Sequence, residues 1–513
     1  MSQANRGKPR ANSKSRLKKP VSIPKGLKNE STHYVERNSF GGWVGAIILM
    51  IWSHYILYYF WYCIEKEGNN GMLIFPLSYD SFIKEINLFK HEFLKKCIPD
   101  FRTCFAYLSF FVCQIILAAI VPGITVNGLP IGIPPYQKKL KYLCNGYLCY
   151  YICIWGFFLM NFLSSDEVPY LCDKACMKNF SIFKGFYKGT HLAENLGKYL
   201  TLAVTVSDVT SIFWYVYGLT TIGKDEVTGN IIYDFFMGTI LNPRIGIVDI
   251  KMVAECRWSW LTLMLLTISC ALKQYEERHC ITKEMGMMIL AHYIYSNATV
   301  KGEHYIPCTW DMFHERFGWM LNFWNIAGVP YLYCFASFYI LKNKDHSLSL
   351  PFVIFLYMML LIGYYIFDTA NCQKASCKLP GIVRNTFPQL PWGVLKEPIR
   401  YIETPKGKLL IDGWYAYARK MQYTGDIIMS LCWGLICGFK SSSPYFYFLF
   451  FCGMIIHRQT RDEARCKEKY REYWEVYTRE IPNVFIPNFR KLYLSFTNDW
   501  KKLPNIKCDD KVN

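Results

Sequence analysis

The sequence DGWYAYARKMQYTGD at residues 412–426 is followed, after two apolar segments, by HRQTRDEARCKEKYREYWEVY at residues 457–477. Ionisable groups beside membrane segments are costly unless they face a protein interior or a site. On a helix, the residues spaced by four in the second stretch share one face: Arg458, Asp462, Cys466 and Tyr470. This polar stripe begins where the last apolar segment ends. It predicts either a ligand site or a basic helix that binds anionic lipid headgroups.

The composition indicates a membrane protein. Of the 513 residues, 52% are hydrophobic and only 19% are charged, and the net charge of +19 lies mostly outside long apolar runs. Many of the 21 cysteines lie within those runs, where Cys packs as a small hydrophobic residue. The pairs Cys172/Cys176 and Cys372/Cys377 lack a second pair at zinc spacing, so no metal site is predicted.

Ten apolar runs approach the roughly 17–25 residues that a helix needs to cross a bilayer. They cover residues 42–63, 101–122, 142–163, 199–222, 258–272, 285–296, 318–341, 351–367, 426–439 and 444–456. The shorter runs fit if they are tilted or shielded by neighbours. We therefore predict an all-α integral membrane protein with about ten transmembrane helices. Both ends are rich in Lys and Arg, which predicts that both termini are cytosolic.

The charge distribution divides the chain into three regions. Residues 1–40 form a basic cytosolic tail that we expect to be disordered, and residues 491–513 form a second cytosolic tail. Residues 41–490 form the multi-span domain. A basic tail can bind nucleic acid, but beside a membrane span it is the expected positive flank, so no nucleic-acid partner is predicted.

The longest polar connection, residues 371–413, carries a turn signal near its end. Apolar residues flank Pro405–Lys408, which predicts a short β-hairpin just before Asp412. The sequence contains no Gly-x-Gly-x-x-Gly, Walker A, His-Glu-x-x-His or Gly-x-Ser-x-Gly motif. A nucleotide would therefore bind without a Rossmann domain.

Several stretches, taken together, carry a family resemblance. These are CNGYLCYY (144–151), NLGKYLT (195–201), YDFFMGTILNPRIG (233–246) and the two C-terminal stretches. Over residues 42–489 the chain resembles the Δ14-, Δ7- and Δ24(28)-sterol reductases and the sterol-reductase half of the lamin B receptor. It is most similar to the fungal Δ24(28) branch. Lys420 stands where the other branches typically have His, and Gln422 where they have Asn.

The resemblance implies a helical membrane enzyme that takes NADPH from the cytosol and reduces a carbon–carbon double bond of a sterol. It places the cofactor-binding half at about residues 318–490, in a pocket open to the cytosol. It implies phosphate contacts for Lys374 and Lys378, ring contacts for Leu410 and Tyr415, and hydrogen bonds for Gln422 and Tyr423. The remaining implied pocket residues are Arg458, Asp462, Cys466, Lys467, Glu468, Lys469, Tyr470 and Tyr477. The lysines could instead be loop cations, and Tyr423 an interfacial aromatic residue.

Alkene reduction needs an acid, because an isolated double bond is electron-rich and repels hydride. The chemistry that the resemblance implies is protonation to a carbocation, followed by hydride transfer from NADPH. The two candidate acids are Tyr295 and Asp462. Asp462 could hold a proton in a buried site, or it could be an anion paired with Arg458 or Arg461. Tyr295 could instead be a packing residue.

These observations together predict an NADPH-dependent Δ24(28)-sterol reductase of ergosterol biosynthesis in the endoplasmic reticulum membrane. Its predicted partners are the sterol substrate and membrane lipid, with other sterol-biosynthesis enzymes as candidates. The alternatives are a Δ14- or Δ7-sterol reductase, a non-catalytic sterol-binding scaffold like the lamin B receptor, and a transporter. Binding of NADPH separates the enzyme from the last two.

Overall fold

Helices dominate the computed structural model of the protein, which describes residues 39–131, 138–164, 188–221, 227–378 and 400–487, with the side chains of 376–378 left out. The helices before residue 280 are α1 (Gly42–Glu65), α2 (Tyr79–Lys96), α3 (Phe101–Ile120), α4 (Gly146–Leu163), α5 (His191–Glu194), α6 (Leu196–Thr221), α7 (Ile231–Met237), α8 (Ile250–Val253) and α9 (Trp260–Arg278). Those after it are α10 (Lys283–Lys301), α11 (Trp310–Phe313), α12 (Trp319–Phe323), α13 (Val329–Tyr333), α14 (Phe335–Lys342), α15 (Leu350–Lys378), α16 (Met421–Leu435), α17 (Phe446–Tyr470) and α18 (Glu472–Glu480). The predicted helical fold class is confirmed.

The described residues also form three short antiparallel hairpins, of which the sequence analysis predicted one. They pair β1 (Ile124–Ile131) with β2 (Lys138–Cys144), β3 (Arg244–Ile245) with β4 (Val248–Asp249), and β5 (Tyr401–Thr404) with β6 (Gly407–Leu410). The last is the hairpin predicted before Asp412. Tyr142, predicted at the start of a span, instead lies in β2 opposite Val126.

Five described helices are long and apolar enough to cross a membrane: Ser39–Glu65, Phe101–Ile120, Gly146–Leu163, Leu196–Thr221 and Leu350–Ala375. Each leaves large apolar side chains uncovered, for example Ile51 at 65% and Trp155 at 70% exposure. Such surfaces are expected where lipid replaces water. The structure therefore supports an integral membrane protein, while the other five predicted spans remain a prediction.

The apolar run at residues 318–341 is helical but irregular. A π-helical turn at Trp324–Gly328 separates α12 from α13, and Pro330 lies in the first turn of α13. Proline lacks an N–H and is tolerated at such a start, whereas it disrupts a helix interior. From Phe335 to Leu341 every residue of α14 is buried. This segment is apolar because it lies inside the bundle.

Helices α15 and α16 approach each other through two glycines. A Cβ atom on Gly425 would lie 2.6 Å from the carbonyl oxygen of Gly363, so a larger residue does not fit at Gly425, and a Cβ on Gly363 would be tightly placed, 3.0 Å from the Ile428 side chain. Small residues allow such close backbone approach between membrane helices. The contact fixes Asp426, the next residue, relative to α15.

A buried ion pair joins the N-terminus of α4 to the segments that flank α9 and α10. Arg257 Nη2 lies 3.3 Å from Glu303 Oε1, and both side chains are 3% exposed. Glu303 Oε2 also accepts a hydrogen bond from the Gly146 N–H at 2.6 Å, and Arg257 Nη2 donates to Asn145 Oδ1 at 2.5 Å. This network joins three segments that are distant in sequence.

We predict that Glu303→Gln lowers the free energy of unfolding by about 3–5 kcal/mol, because it leaves the buried Arg257 charge without an anion. The measurement is thermal unfolding of the purified protein in detergent. The matched control is Glu194→Gln, which breaks the partly exposed pair of Glu194 with Lys273 and should cost about 0–1 kcal/mol. Equal losses in the two variants would contradict the prediction.

Candidate active site

The polar stripe predicted from the sequence lies on one continuous helix. Helix α17 runs from Phe446 through the apolar segment to Tyr470, and Arg471, with φ of 49°, ends it before α18 turns back. The end of α17, α18 and the β5–β6 hairpin share a small core that includes Ile402, Tyr470 and Tyr477. The hairpin thus helps to hold the stripe in place.

Three of the predicted cofactor residues are brought together where α15 and α16 meet. Leu410 and Tyr415 belong to one apolar cluster with Ala370 of α15. The Tyr415 hydroxyl donates to Gln422 Oε1 at 2.9 Å and lies 3.3 Å from the Ala370 carbonyl oxygen. All four residues are buried. Tyr415 therefore has a clear packing role, and its hydroxyl orients the Gln422 amide.

Asp462 forms an ion pair with Lys420, a partner that the sequence analysis did not consider. Lys420 Nζ donates to Asp462 Oδ2, and the Cys466 Sγ lies 3.9 Å from Asp462 Oδ1. Burial lowers the pKa of the Lys420 ammonium, but the Asp462 carboxylate outweighs burial and leaves that pKa raised. The contact favours an ionised Asp462.

Arg458 of the stripe and the nearby Arg461 contact carboxylates from residues 301–316, the segment between α10 and α12. Arg458 Nη2 lies 2.8 Å from Asp311 Oδ2, and Arg461 Nη2 lies 2.9 Å from Glu315 Oε1. The buried Lys251 ammonium supports this segment, because it donates to the Asp311 and Glu315 carbonyl oxygens at 2.5 and 2.8 Å. Burial lowers the pKa of Lys251 to about 8. In the sequence, Asp311 and Glu315 are four residues apart, and this spacing is the signal from which their contacts with the two arginines could have been predicted.

The other predicted pocket residues differ in exposure. Lys467 and Glu468 are exposed, whereas Tyr470 and Tyr477 are buried in the small core. Lys469 Nζ lies 4.7 Å from the Tyr470 ring centroid. Tyr423, Lys374 and Cys466 are partly buried, and the Lys378 side chain lies outside the described residues. The partly exposed and exposed residues remain available to a ligand.

The second candidate acid, Tyr295, has a buried carboxyl partner. The Tyr295 hydroxyl donates to Asp426 Oδ1 at 3.0 Å. Aromatic rings surround Tyr295, with Trp260 at 4.6 Å and Phe367 at 5.7 Å between centroids. The sequence analysis did not select Asp426, because its partner Tyr295 is 131 residues away and no local spacing links the two.

A narrow apolar cavity lies near this pair. Its lining includes Phe60, Leu332, Tyr333, Trp433 and Tyr447. The Trp433 ring also packs against Tyr295, with 5.9 Å between ring centroids. Proton-bearing groups therefore lie beside an aromatic, apolar interior.

The residues at the exposed end of α17 fit a phosphate-bearing dinucleotide. The Arg458 side chain is 46% exposed although it contacts Asp311, and a guanidinium has five N–H donors, so several can reach a second anion. Lys374, Lys467 and Lys469 are further cations in the C-terminal half of the chain. Guanidinium and ammonium groups are the donors that the phosphates of NADPH require.

We predict that Lys420→Met lowers the melting temperature of the protein, by an amount equivalent to about 1–2 kcal/mol, because Asp462 loses its cation. Because the pKa of Lys420 is raised in the folded protein, the stability that its charge gives is fully present below its unfolded pKa, about 10.4. That stability is lost only as the pH rises through the folded pKa. The difference in melting temperature between Lys420→Met and wild type should therefore be the same at about pH 7 and about pH 9. Lys420→Arg, which keeps the charge, is the control. A difference that already shrinks at the higher pH would contradict the prediction.

Comparison with known proteins identifies the family. The model of the Ergosterol biosynthesis ERG4/ERG24 family matches residues 35–489. The Delta(24(24(1)))-sterol reductase of Gibberella zeae is 36% identical over 74% of this chain, and the match spans 61% of that relative's length. The Delta(24(24(1)))-sterol reductase of Aspergillus fumigatus is 34% identical over 87% of this chain and 92% of its own length. The Delta(14)-sterol reductase of Dictyostelium discoideum is 31% identical over 88% of this chain and 91% of its own length. The chain belongs to the ERG4/ERG24 family of sterol reductases and is an oxidoreductase of that family.

Proposed function

We propose that the protein catalyses the NADPH-dependent reduction of the exocyclic 24(28) double bond of a sterol in ergosterol biosynthesis. This is the bond numbered 24(24(1)) in the names of the two relatives that are 36% and 34% identical. The observation that carries the proposal is the hydrogen-bonded Tyr295–Asp426 pair among aromatic rings. Helices α16 and α17 connect this pair to the polar stripe.

In this proposal the Tyr295–Asp426 pair supplies the proton. In the reactive state of this proposal the hydrogen bond is reversed, so that a protonated Asp426 donates to the Tyr295 oxygen and the Tyr295 hydroxyl proton faces the alkene carbon. Tyr295 then gives that proton to the alkene carbon and takes the Asp426 proton in the same step. A buried tyrosinate is thereby avoided, and Asp426 is left as the carboxylate. The rings around Tyr295 exclude water, so the carbocation formed on the sterol is not captured by it. Asp426 takes its next proton from solvent after product release.

Lys374, Lys378 and Arg458 would hold the cofactor phosphates, and Gln422 and Tyr423 would hydrogen-bond the rest of the cofactor. When bound, NADPH supplies the hydride that reduces the carbocation. Asp462 acts here as an anion that holds Lys420 in place, because the two are ion-paired. Asp462 thus remains a proposed cofactor-pocket residue, and the role of acid passes from it to Asp426.

The proposed setting is the endoplasmic reticulum membrane. Ten spans would place both termini and the cofactor pocket of residues 318–490 on the cytosolic side, with the sterol substrate entering from lipid. The second candidate activity is Δ14-sterol reduction, which the similarity to the Delta(14)-sterol reductase of Dictyostelium discoideum favours.

The assay that tests the function supplies purified protein in detergent with a 24(28)-methylene sterol and either NADPH or NADH. We expect saturation of the 24(28) bond, with NADPH far better than NADH, because the 2′-phosphate takes further charge-assisted hydrogen bonds from the cations. Reduction of a Δ14 sterol alone would move the assignment to the second candidate. Equal rates with both cofactors would contradict the proposed role of Lys374 and Arg458.

Variants of the two candidate acids separate proton donation from cofactor binding. Tyr295→Phe and Asp426→Asn should each lower kcat by about 10²–10⁴-fold, the usual contribution of a general acid, with unchanged NADPH affinity. Asp462→Asn should weaken NADPH binding together with turnover, because it frees Lys420. Tyr293→Phe removes a nearby hydroxyl that contacts Tyr151, and it should keep near wild-type turnover. A nearly active Asp426→Asn protein would refute the proton relay.

A further inference from the structure

A polar cluster outside the candidate active site lies halfway along two candidate membrane spans. His54 lies near the middle of α1, and Asp208 lies near the middle of α6. His54 Nε2 is 3.1 Å from Asp208 Oδ2, and His54 Nδ1 is 2.8 Å from the Met50 carbonyl oxygen. Asp208 Oδ1 accepts a hydrogen bond from Trp319 Nε1 at 2.8 Å. The proposed reaction uses none of these groups.

The pair is not enclosed by the helix bundle. The His54 and Asp208 side chains are 35% and 36% exposed. Their neighbours on the outer surface are apolar, with Ile51 at 65% and Val209 at 59% exposure. Ionisable side chains at membrane depth are costly and generally face a protein interior, a cavity or a functional site. The exposure of this pair therefore calls for a polar partner from outside the bundle.

A second observation points to a missing hydrogen-bond donor in the same place. Asn322, one helical turn after Trp319, is 1% exposed. Its Nδ2 donates to Ser207 O and to Ser211 Oγ, both at 2.9 Å, and Ser207 adjoins Asp208. Its Oδ1 has no hydrogen-bond partner among the described residues. A buried acceptor without a donor is costly, and at this enclosed position a buried water can supply the donor.

Polar groups continue from this cluster toward one end of the two helices. The Tyr58 hydroxyl, one turn after His54, donates to Thr201 Oγ1 at 3.3 Å. Farther along α6, Lys198 Nζ lies 2.6 Å from Asp100 Oδ2. The α1–α6 contact thus carries polar groups from the helix end to mid-depth.

The depth of the His54–Asp208 pair in the membrane restricts which lipids can present a polar group to it. About 12 residues on either side, at 1.5 Å per residue, place the pair about 18 Å from each helix end. A phospholipid headgroup remains at the interface, because a phosphate in the hydrocarbon core is expensive. A lipid with one neutral hydroxyl on an apolar body can reach this depth at far lower cost.

We propose that the His54–Asp208 pair binds the hydroxyl of a membrane sterol on the α1–α6 surface, at a site separate from the Tyr295–Asp426 pair. The hydroxyl donates to the Asp208 carboxylate, which His54 holds in place, and the ring body covers the exposed apolar side chains of both helices. The choice of a sterol as the lipid rests on the proposed function, whereas the position of the site does not.

The test uses a photoreactive sterol with a free 3-hydroxyl, added without NADPH to the full chain in lipid nanodiscs, with labelled peptides mapped by mass spectrometry. We expect labelling on α1 or α6. Unlabelled sterol should compete, whereas the 3-deoxy sterol should not. The double variant His54→Phe with Asp208→Asn should label about ten-fold less at this site, the factor for the loss of a hydrogen bond to a charged group. Thr205→Val, at an exposed position on α6, is the control and should label as wild type.

Three results would overturn the proposal: equal competition by the 3-deoxy sterol, unchanged labelling in the double variant, or labelling confined to peptides around Tyr295. Size-exclusion profiles show whether the double variant is folded. If it is not, the competition by hydroxyl and 3-deoxy sterols in the wild-type protein decides alone. Sterol reduction is assayed separately in the same nanodiscs. Labelling of α1–α6 without reduction would refute the proposed function and leave this site intact.

Discussion

The cost of placing charge away from water is the constraint on which the rest of this structure depends. A lone charge in a low-dielectric interior is strongly unfavourable, so buried ions are paired and hydrogen-bonded. Arg257 with Glu303 and Lys301 with Asp368 are pairs in which both side chains are at most 8% exposed. Each pair joins segments that are far apart in sequence, so satisfying a charge also fixes which segments pack together.

The same constraint arranges the C-terminal half around one polar helix. Asp462 of the stripe on α17 meets Lys420 from the start of α16, and Arg458 meets Asp311 from residues 301–316. These contacts hold the stripe from two other segments, and the β5–β6 hairpin packs against its end. Arg458 nevertheless remains partly exposed. A cationic surface that is both held in place and accessible suits recognition of an anionic cofactor.

Close packing brings the polar end of the molecule near its apolar interior. Gly363 and Gly425 let the backbones of α15 and α16 touch, and Asp426 follows directly on α16. Tyr295 on α10 then reaches Asp426 while its ring stacks on Phe367 of α15. Three helices thus position one hydrogen bond, in a setting that aromatic rings keep apolar.

The sequence by itself determined the membrane class, the helical stripe at residues 457–477, the β5–β6 hairpin and the family, because hydropathy, spacing and turn chemistry are local properties. Only the tertiary structure decided which charges and hydroxyls meet. Asp462 pairs with Lys420 across 42 residues, Tyr295 with Asp426 across 131, and His54 with Asp208 across 154. Spacing within one helix cannot reveal such partners, because they depend on how separate helices pack. The apolar run at residues 318–341 shows the same limit, since a segment buried among protein side chains has the same composition as one that faces lipid.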